Sequence, residues 1–238
     1  EDFSKKPAVV KKQYNYLTDE INFLKNYVKI YASKNRKHCI NNLIRDNHNV
    51  AILDDGFQDN SIKKDLNIIC FNEKQWIGNG QMIPSGPLRE PLSSLSRSQC
   101  VIINGKKNLQ KENFLKQYNS SIRIFYTNYI LIEKEKFMNR KLIAFAGIGN
   151  PNNFFDLLKE NNLNLIETLS YSDHHNFLDK ELDRLIKLAK NNKSMLVSTE
   201  KDYFRLKEKY RYYVKPIKIK VNIENIDNFK NFLKTFII

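Results

Sequence analysis

The stretch Leu53-Asp54-Asp55-Gly56-Phe57-Gln58-Asp59 closes an apolar run, Val50 to Leu53, with two adjacent carboxylates and a glycine. In open α/β sheets ligands gather at the carboxyl ends of strands, which is where such a run delivers the pair. A strand ending in aspartate is one way to hold Mg²⁺, a cation that takes few protein carboxylates and keeps most of its waters. The same letters also spell a turn, because Asp-Gly is a common turn dipeptide in which Gly56 supplies a positive φ. Taken alone, the stretch leaves both readings open.

Four further stretches carry groups that chemistry could use. Residues 78–95 form a long loop bearing Gly and Pro, and a loop of that length inside a compact domain usually has a function. Within it Arg89 stands among Pro84, Pro87 and Pro91, which stiffen the backbone, while the glycines would let a ligand approach. A guanidinium on a rigid loop suits bidentate recognition of phosphate, and it reads equally as a surface arginine. Phe145 to Phe155 reads as a strand, a Gly147-x-Gly149 turn and a helix opened by Pro151, whose backbone N–H groups could hold an anion. Without a third glycine it is no dinucleotide fingerprint. Asp173-His174-His175 sets two of the chain's 4 histidines side by side, as a carboxylate–imidazole pair, a metal site or a polar loop. Thr199 and Asp202 fit the two ends of a capping box, which accounts for both without any chemistry.

Something must position these groups, and hydropathy supplies the elements. Ile21, Leu24, Val28 and Tyr31 give residues 19–33 a helical spacing, and a second helix is expected over 36–46. Strands are expected at 49–53, 66–71 and 100–104, as short continuous apolar runs of the kind found in parallel sheets buried on both faces. The strand ending at Leu53 is therefore expected to be central and parallel, with Asp54 at its carboxyl end near Arg89. Residues 121–133 read as two extended segments. From Lys141 onward strands at 141–146, 163–169, 194–198 and 217–223 interleave with helices near 152–161, 179–191, 202–209 and 225–236. The last strand sets Ile217, Ile219, Val221 and Ile223 on one face. This is α/β architecture twice over.

Composition narrows the classes. With 41% hydrophobic residues, 15 Phe and 12 Tyr in 238 residues, the chain builds cores and is not a disordered segment. No apolar run approaches the length of a membrane span. The polar stretch Glu1 to Lys6 is not expected to act as a signal peptide. Three scattered cysteines point to a reducing compartment and away from zinc, with Cys70 and Cys100 expected as buried strand residues. A net charge of +14 favours an anionic partner, whether nucleic acid, phosphorylated ligand or acidic membrane surface, although the lysines are spread along the chain.

In order, "LDDGFQ", "GNGQMIPSGPLREPLSSL", "AFAGIGNPNNFF", "SDHHNF" and "STEKDYFRL" resemble the tetraacyldisaccharide 4′-kinases, the lipid A 4′-kinase family, from about Asp19 to the C-terminus. The resemblance implies a P-loop-kinase-like parallel-sheet domain, N-terminally incomplete (1–120), an extended β linker (121–140) and a second, smaller α/β domain (141–238). It implies transfer of phosphate from ATP to the 4′-hydroxyl of a lipid A disaccharide 1-phosphate precursor. The protein would act peripherally at the cytoplasmic face of the bacterial inner membrane, with no nucleic-acid partner. Residue by residue, Asp54 and Asp55 would serve Mg²⁺ and ATP, Gln58 would lie beside them at the nucleotide, and Arg89 would stabilise phosphate charge. Asp19 would be the base for the sugar hydroxyl, and one of His174 and His175 would orient or assist it.

Departures from the family pattern matter as well. None of the 7 glycines belongs to a Gly-rich loop with Lys and Ser/Thr, the phosphate cradle of such kinases, and Asn104 to Asn108 does not match one. Thr18 replaces a motif glycine, and Asp59 stands where the family usually has His. The expectation is a truncated chain, inactive alone. Two other classes remain open on the residues. Asp173-His174-His175 suggests a metal-dependent DHH-type phosphoesterase, which needs further Asp and His ligands. The charge suggests a nucleic-acid-binding protein, for which Lys209 to Lys215 is the one short basic and aromatic stretch.

Overall fold

The computed structural model describes residues 3–13, 21 and 24–237. Thr18, Asp19 and Glu20 lie outside them. The chain divides into two compact units, one of Glu1–Leu17, Leu24–Asn128 and Val221–Ile238, the other of Thr18–Phe23 and Tyr129–Lys220. Each contains parallel sheet flanked by helices, the expected α/β class.

In the first unit β1 (Pro7–Lys12) is the middle strand of three, between β2 (Ile30–Ser33) and β3 (Val50–Asp54), and both pairings are parallel. One face of β1 carries Ala8 and Val10, which pack on Cys39 and Leu43 of helix α1 (Arg36–Arg45). Asn35 caps that helix, its side chain accepting from the Lys37 N–H at 2.9 Å. A second sheet runs β4 (Ile68–Asn72), β5 (Cys100–Asn104) and β6 (Arg123–Leu131) in parallel, with helix α2 (Leu109–Tyr118) between β5 and β6. The late strand Ile219–Ile223 lies beside β6, and the C-terminal helix Ile226–Ile237 follows it. Phe229 of that helix meets the Phe125 ring at 5.0 Å in a cluster with Cys100.

The second unit is a four-stranded parallel sheet in the order β10-β9-β7-β8, formed by β7 (Lys141–Ala146), β8 (Asn164–Ser170), β9 (Met195–Thr199) and β10 (Val214–Ile217). Helices α3 (Pro151–Glu160), α4 (Asp179–Asn191), α5 (Glu200–Arg205) and α6 (Glu208–Arg211) connect the strands. Here the continuous apolar run is a strand buried on both faces, as its composition predicts. Leu142, Ala144 and Ala146 face Phe154, Phe155 and Leu158 of α3, while Ile143 and Phe145 face Leu182 and Leu185 of α4. Alternate side chains fill cores on opposite faces.

Elsewhere the structure departs from the expectations. Residues 30–33, read as the end of a helix, form β2, because β1 offers them a strand partner. β1 itself and α2 were not anticipated. β3 is parallel as expected, but it sits at the edge of its sheet, with Ile52 51% exposed. Cys70 is exposed as well. An uninterrupted apolar run reports a strand without reporting its rank in the sheet. Residues 121–133 hold one nine-residue strand. The strand expected at 217–223 breaks at Lys218, where Ile217 ends a strand of the second unit and Ile219 begins one paired with β6. Residues 221–238 group with the first unit, although their place in the sequence suggested the second.

Trp76, the chain's 1 tryptophan, packs on Phe71 at 5.0 Å and so reports on the first unit. Truncating Phe229→Ala should lower the stability read by Trp76 fluorescence in urea by about 3 kcal/mol, the cost of emptying a core aromatic site. An unchanged midpoint would mean that the C-terminal helix is not part of that core.

Candidate functional site

Register builds the site. β1 and β3 pair in parallel with Lys11 opposite Asp54, so both strands deliver their carboxyl ends to the same rim. Asp55, at φ +51°, then turns the chain in the left-handed region, which aspartate tolerates better than most residues. The sequence reading gave that role to Gly56. Gly56 is needed for space instead, since a Cβ there would lie 2.5 Å from the Leu53 Cβ.

The turn that follows is folded around two cations. Arg36, buried at the start of α1, donates from Nη2 to the carbonyls of Asp54 and Asp55, both at 2.8 Å, and from Nη1 to Asp59 at 3.1 Å. Lys64 donates to the carbonyls of Gly56 (3.1 Å), Phe57 (3.2 Å) and Asp59 (2.7 Å). Burial lowers the Lys64 pKa. Asp59 is held down to about 2 by the Ser61 hydroxyl, and further by the Arg36 guanidinium and the Ser61 N–H. None of these clamping roles was foreseen in the sequence, where Arg36 and Lys64 look like surface charges.

The carboxylates of the pair point to two further cations. Lys11 pairs with Asp54, and Arg89 donates from Nη1 to both oxygens of Asp55 at 2.6 and 2.5 Å. Arg97 ties the two loops together, bonding Asn60 at 3.0 Å and lying 4.6 Å from the Phe57 ring centre. Within the 78–95 loop, a Cβ on Gly86 would fall 2.1 Å from Asn79 Oδ1 and 2.4 Å from the Gln81 carbonyl. This glycine makes room for the loop's own backbone, not for a ligand.

Asp54, Asp55, Gln58 and Arg89 therefore line one cavity of about 610 Å³ in the first unit. Its carboxylates Asp54, Asp55 and Asp59 are outnumbered by Lys11, Lys12, Lys34, Arg36 and Arg89. That surplus suits a polyanion. The paired aspartates on a wet rim also fit Mg²⁺, which needs only one or two carboxylates when phosphates complete its shell. Among the described residues no group of three or more His, Cys, Asp or Glu is placed to hold a metal.

In the second unit the Gly147-x-Gly149 turn already has its anion. The Gly147 N–H donates to Asp202 at 3.0 Å, and the fully buried Asp202 also accepts from Thr199 Oγ1 at 2.8 Å and Arg205 Nη1 at 2.9 Å. Thr199 caps α5 through the Asp202 N–H, as the spacing predicted. Capping was only half of what Asp202 does. The two histidines part company: His174, in the left-handed region at φ +57°, places Nδ1 3.2 Å from Arg205 Nη2. His175 places Nε2 2.9 Å from Glu181 and its ring 4.8 Å from that of Tyr171. His175 in turn is the main cause lowering the Glu181 pKa. Nothing here gathers Asp173, His174 and His175 around one ion, so the DHH-type phosphoesterase reading has no support.

Comparison with known proteins decides the family, because the profile described as "Tetraacyldisaccharide-1-P 4'-kinase" matches residues 4–237. The chain belongs to this kinase family. A tetraacyldisaccharide 4′-kinase of Pelagibacter ubique is 35% identical over 225 residues, covering 93% of this chain and 72% of the relative. Another, of Rickettsia bellii, is 31% identical over 234 residues, covering 97% and 72%. A crystal structure of LpxK from Aquifex aeolicus in complex with ATP superposes with a TM-score of 0.73 at 22% identity, over 99% of this chain and 80% of that one. It shares the fold. Of the residues that the family pattern singled out, Asp54, Asp55, Gln58 and Arg89 come together, His174 and His175 lie in the second unit, and Asp19 is outside the described residues.

Asp59 supplies a test of the clamp. Its pKa in the fold lies below the ordinary 3.8, so its contribution is fully present above that value and is lost as pH falls toward about 2. Asp59→Asn should remove part of the acid dependence, so that wild type loses more stability than the variant across that window. Parallel acid-denaturation curves would show that the Asp59 contacts contribute nothing.

Proposed function

We propose that this chain serves ATP-dependent phosphorylation of the 4′-hydroxyl of tetraacyldisaccharide 1-phosphate, the lipid A disaccharide precursor. The observation that carries this reading is the meeting of Asp54, Asp55, Gln58 and Arg89 on one cavity with a positive surplus. Asp54 and Asp55 would hold Mg²⁺, which in phosphoryl transfer neutralises charge on the phosphate oxygens. Arg89 is suited to the same charge. Its pair with Asp55 is more than half exposed on both sides, so exchanging that carboxylate for a phosphate costs little. Asp19 takes the proton of the acceptor hydroxyl. Of the two histidines we assign His174 the assisting role, since His175 is committed to Glu181 and to Tyr171. Arginine can only donate, so Nδ1 of a neutral His174 accepts and its proton sits on Nε2.

The protein would work peripherally on the cytoplasmic face of the inner membrane. No helix among the described residues is long and apolar enough to cross a membrane. A net charge of +14 suits an anionic lipid surface.

These 238 residues contain no glycine-rich phosphate loop, and positioning is most of what phosphoryl transfer needs from a protein. With radiolabelled ATP and the lipid acceptor, the 238 residues alone are expected to form no product. Robust 4′-phosphorylation by them would show that the nucleotide is held elsewhere. In a chain extended by the phosphate-loop segment of a relative, Asp54→Ala and Asp55→Ala should lower kcat, with partial rescue by excess Mg²⁺. Asp19→Ala and His174→Ala should lower it without rescue, by about 10²- to 10⁴-fold for the loss of a base. Full activity of Asp19→Ala would remove the base assignment while leaving the family intact.

A further inference from the structure

The two aspartates differ in what neutralises them. Asp55 meets Arg89 in the open, with side chains 62% and 57% exposed. Asp54 meets Lys11, whose side chain is only 9% exposed. Backbone register dictates this second pair, because Lys11 on β1 stands directly opposite Asp54 on β3 and paired residues of parallel strands point to the same face. An ammonium that far from water is held close to a carboxylate, because separating a poorly solvated charge from a counter-ion is costly. Of the other cations on the cavity, Arg36 is engaged with two carbonyls and Asp59, and Lys12 and Lys34 have exposed side chains.

We propose that Lys11 is a tethered counter-ion of Asp54 that competes with the divalent cation for this carboxylate and so sets the metal affinity of the site. The inference rests on the reading of Asp54 and Asp55 as the metal-holding pair. A divalent ion on Asp54 stands within a few ångströms of the Lys11 ammonium, and like charges at that separation in a partly desolvated site repel strongly. A site built this way takes metal weakly by itself. It takes metal better when a ligand brings negative charge of its own, because phosphate oxygens then offset the ammonium's charge. Lys11 is thereby a positioning and affinity-setting residue, not a structural ion pair alone.

Mn²⁺ alone is the probe, titrated into the 238-residue chain and followed by the electron paramagnetic resonance of the free ion. Lys11→Met, close in length and without charge, should bind Mn²⁺ roughly ten- to a hundredfold more tightly than wild type. Lys11→Gln, which keeps a donor toward Asp54, should show the same gain, and Lys11→Arg should match wild type. Adding Asp54→Asn to Lys11→Met should abolish the gain. A damaged fold lowers metal affinity, so the expected change has the opposite sign to a structural defect. If wild-type binding depends on Asp54 and Asp55 but neither neutral Lys11 variant binds more tightly, this proposal fails and the metal site stands. If wild type and the neutral variants all fail to bind Mn²⁺, the metal reading fails and takes the proposal with it.

Discussion

A turn that leaves a sheet exposes carbonyls that no strand will satisfy, and polar groups without partners are costly wherever water is excluded. Between Asp54 and Asp59 the carbonyls of Asp54, Asp55, Gly56, Phe57 and Asp59 accept from two cations, Arg36 and Lys64. Hydrogen bonds from charged donors are stronger than neutral ones. They also hold the turn without using the carboxylates of Asp54 and Asp55, which face the cavity and pair there with Lys11 and Arg89. The Asp59 carboxylate completes the arrangement by neutralising Arg36 from the far side of the turn. A histidine at position 59 would not bring the same fixed negative charge, so Asp59 reads as part of the clamp and not as a defect in the motif.

The second unit solves a related problem with the signs exchanged. Its Gly147 turn presents an N–H and a carbonyl, and the buried pair Asp202 and Arg205 takes one each. Arg205 then extends to His174. In both units a loop that carries candidate chemistry is anchored by ions shielded from water as well as by apolar packing. Such anchors are geometrically strict, since removing one partner strands a charge in a site that cannot solvate it.

Legibility in the sequence followed the physics of each element. β7 was readable because Leu142 to Ala146 is apolar without a break and both faces meet helices. β1 was not, because lysines before and within it (Lys5, Lys6, Lys11 and Lys12) dilute the apolar signal, and the buried Lys11 pairs with a carboxylate 43 positions away. Tyr31 fell on a helical spacing by coincidence, and pairing with β1 overrode it. The cavity residues Asp54, Asp55 and Arg89 stood out because unusual types were adjacent or framed by proline. Arg36 and Lys64 did not, since a cation that serves carbonyls leaves no pattern in the letters around it. The fold class was therefore legible, and so were several residues of the cavity wall, while the cations that hold the turn required coordinates.

Burial divides the charges of the cavity into two kinds with different consequences. Arg36 with Asp59 and Lys11 with Asp54 are shielded from water on the cationic side, so mobile ions screen them little. Arg89 with Asp55 is exposed on both sides and is screened readily. The first kind fixes where the carboxylates stand, and the second can exchange partners without disturbing the turn. A phosphate chain entering this cavity would meet a guanidinium that is ready to move and a backbone that is not. That division of labour suits a reaction in which the charge to be stabilised arrives with the ligand and leaves with it.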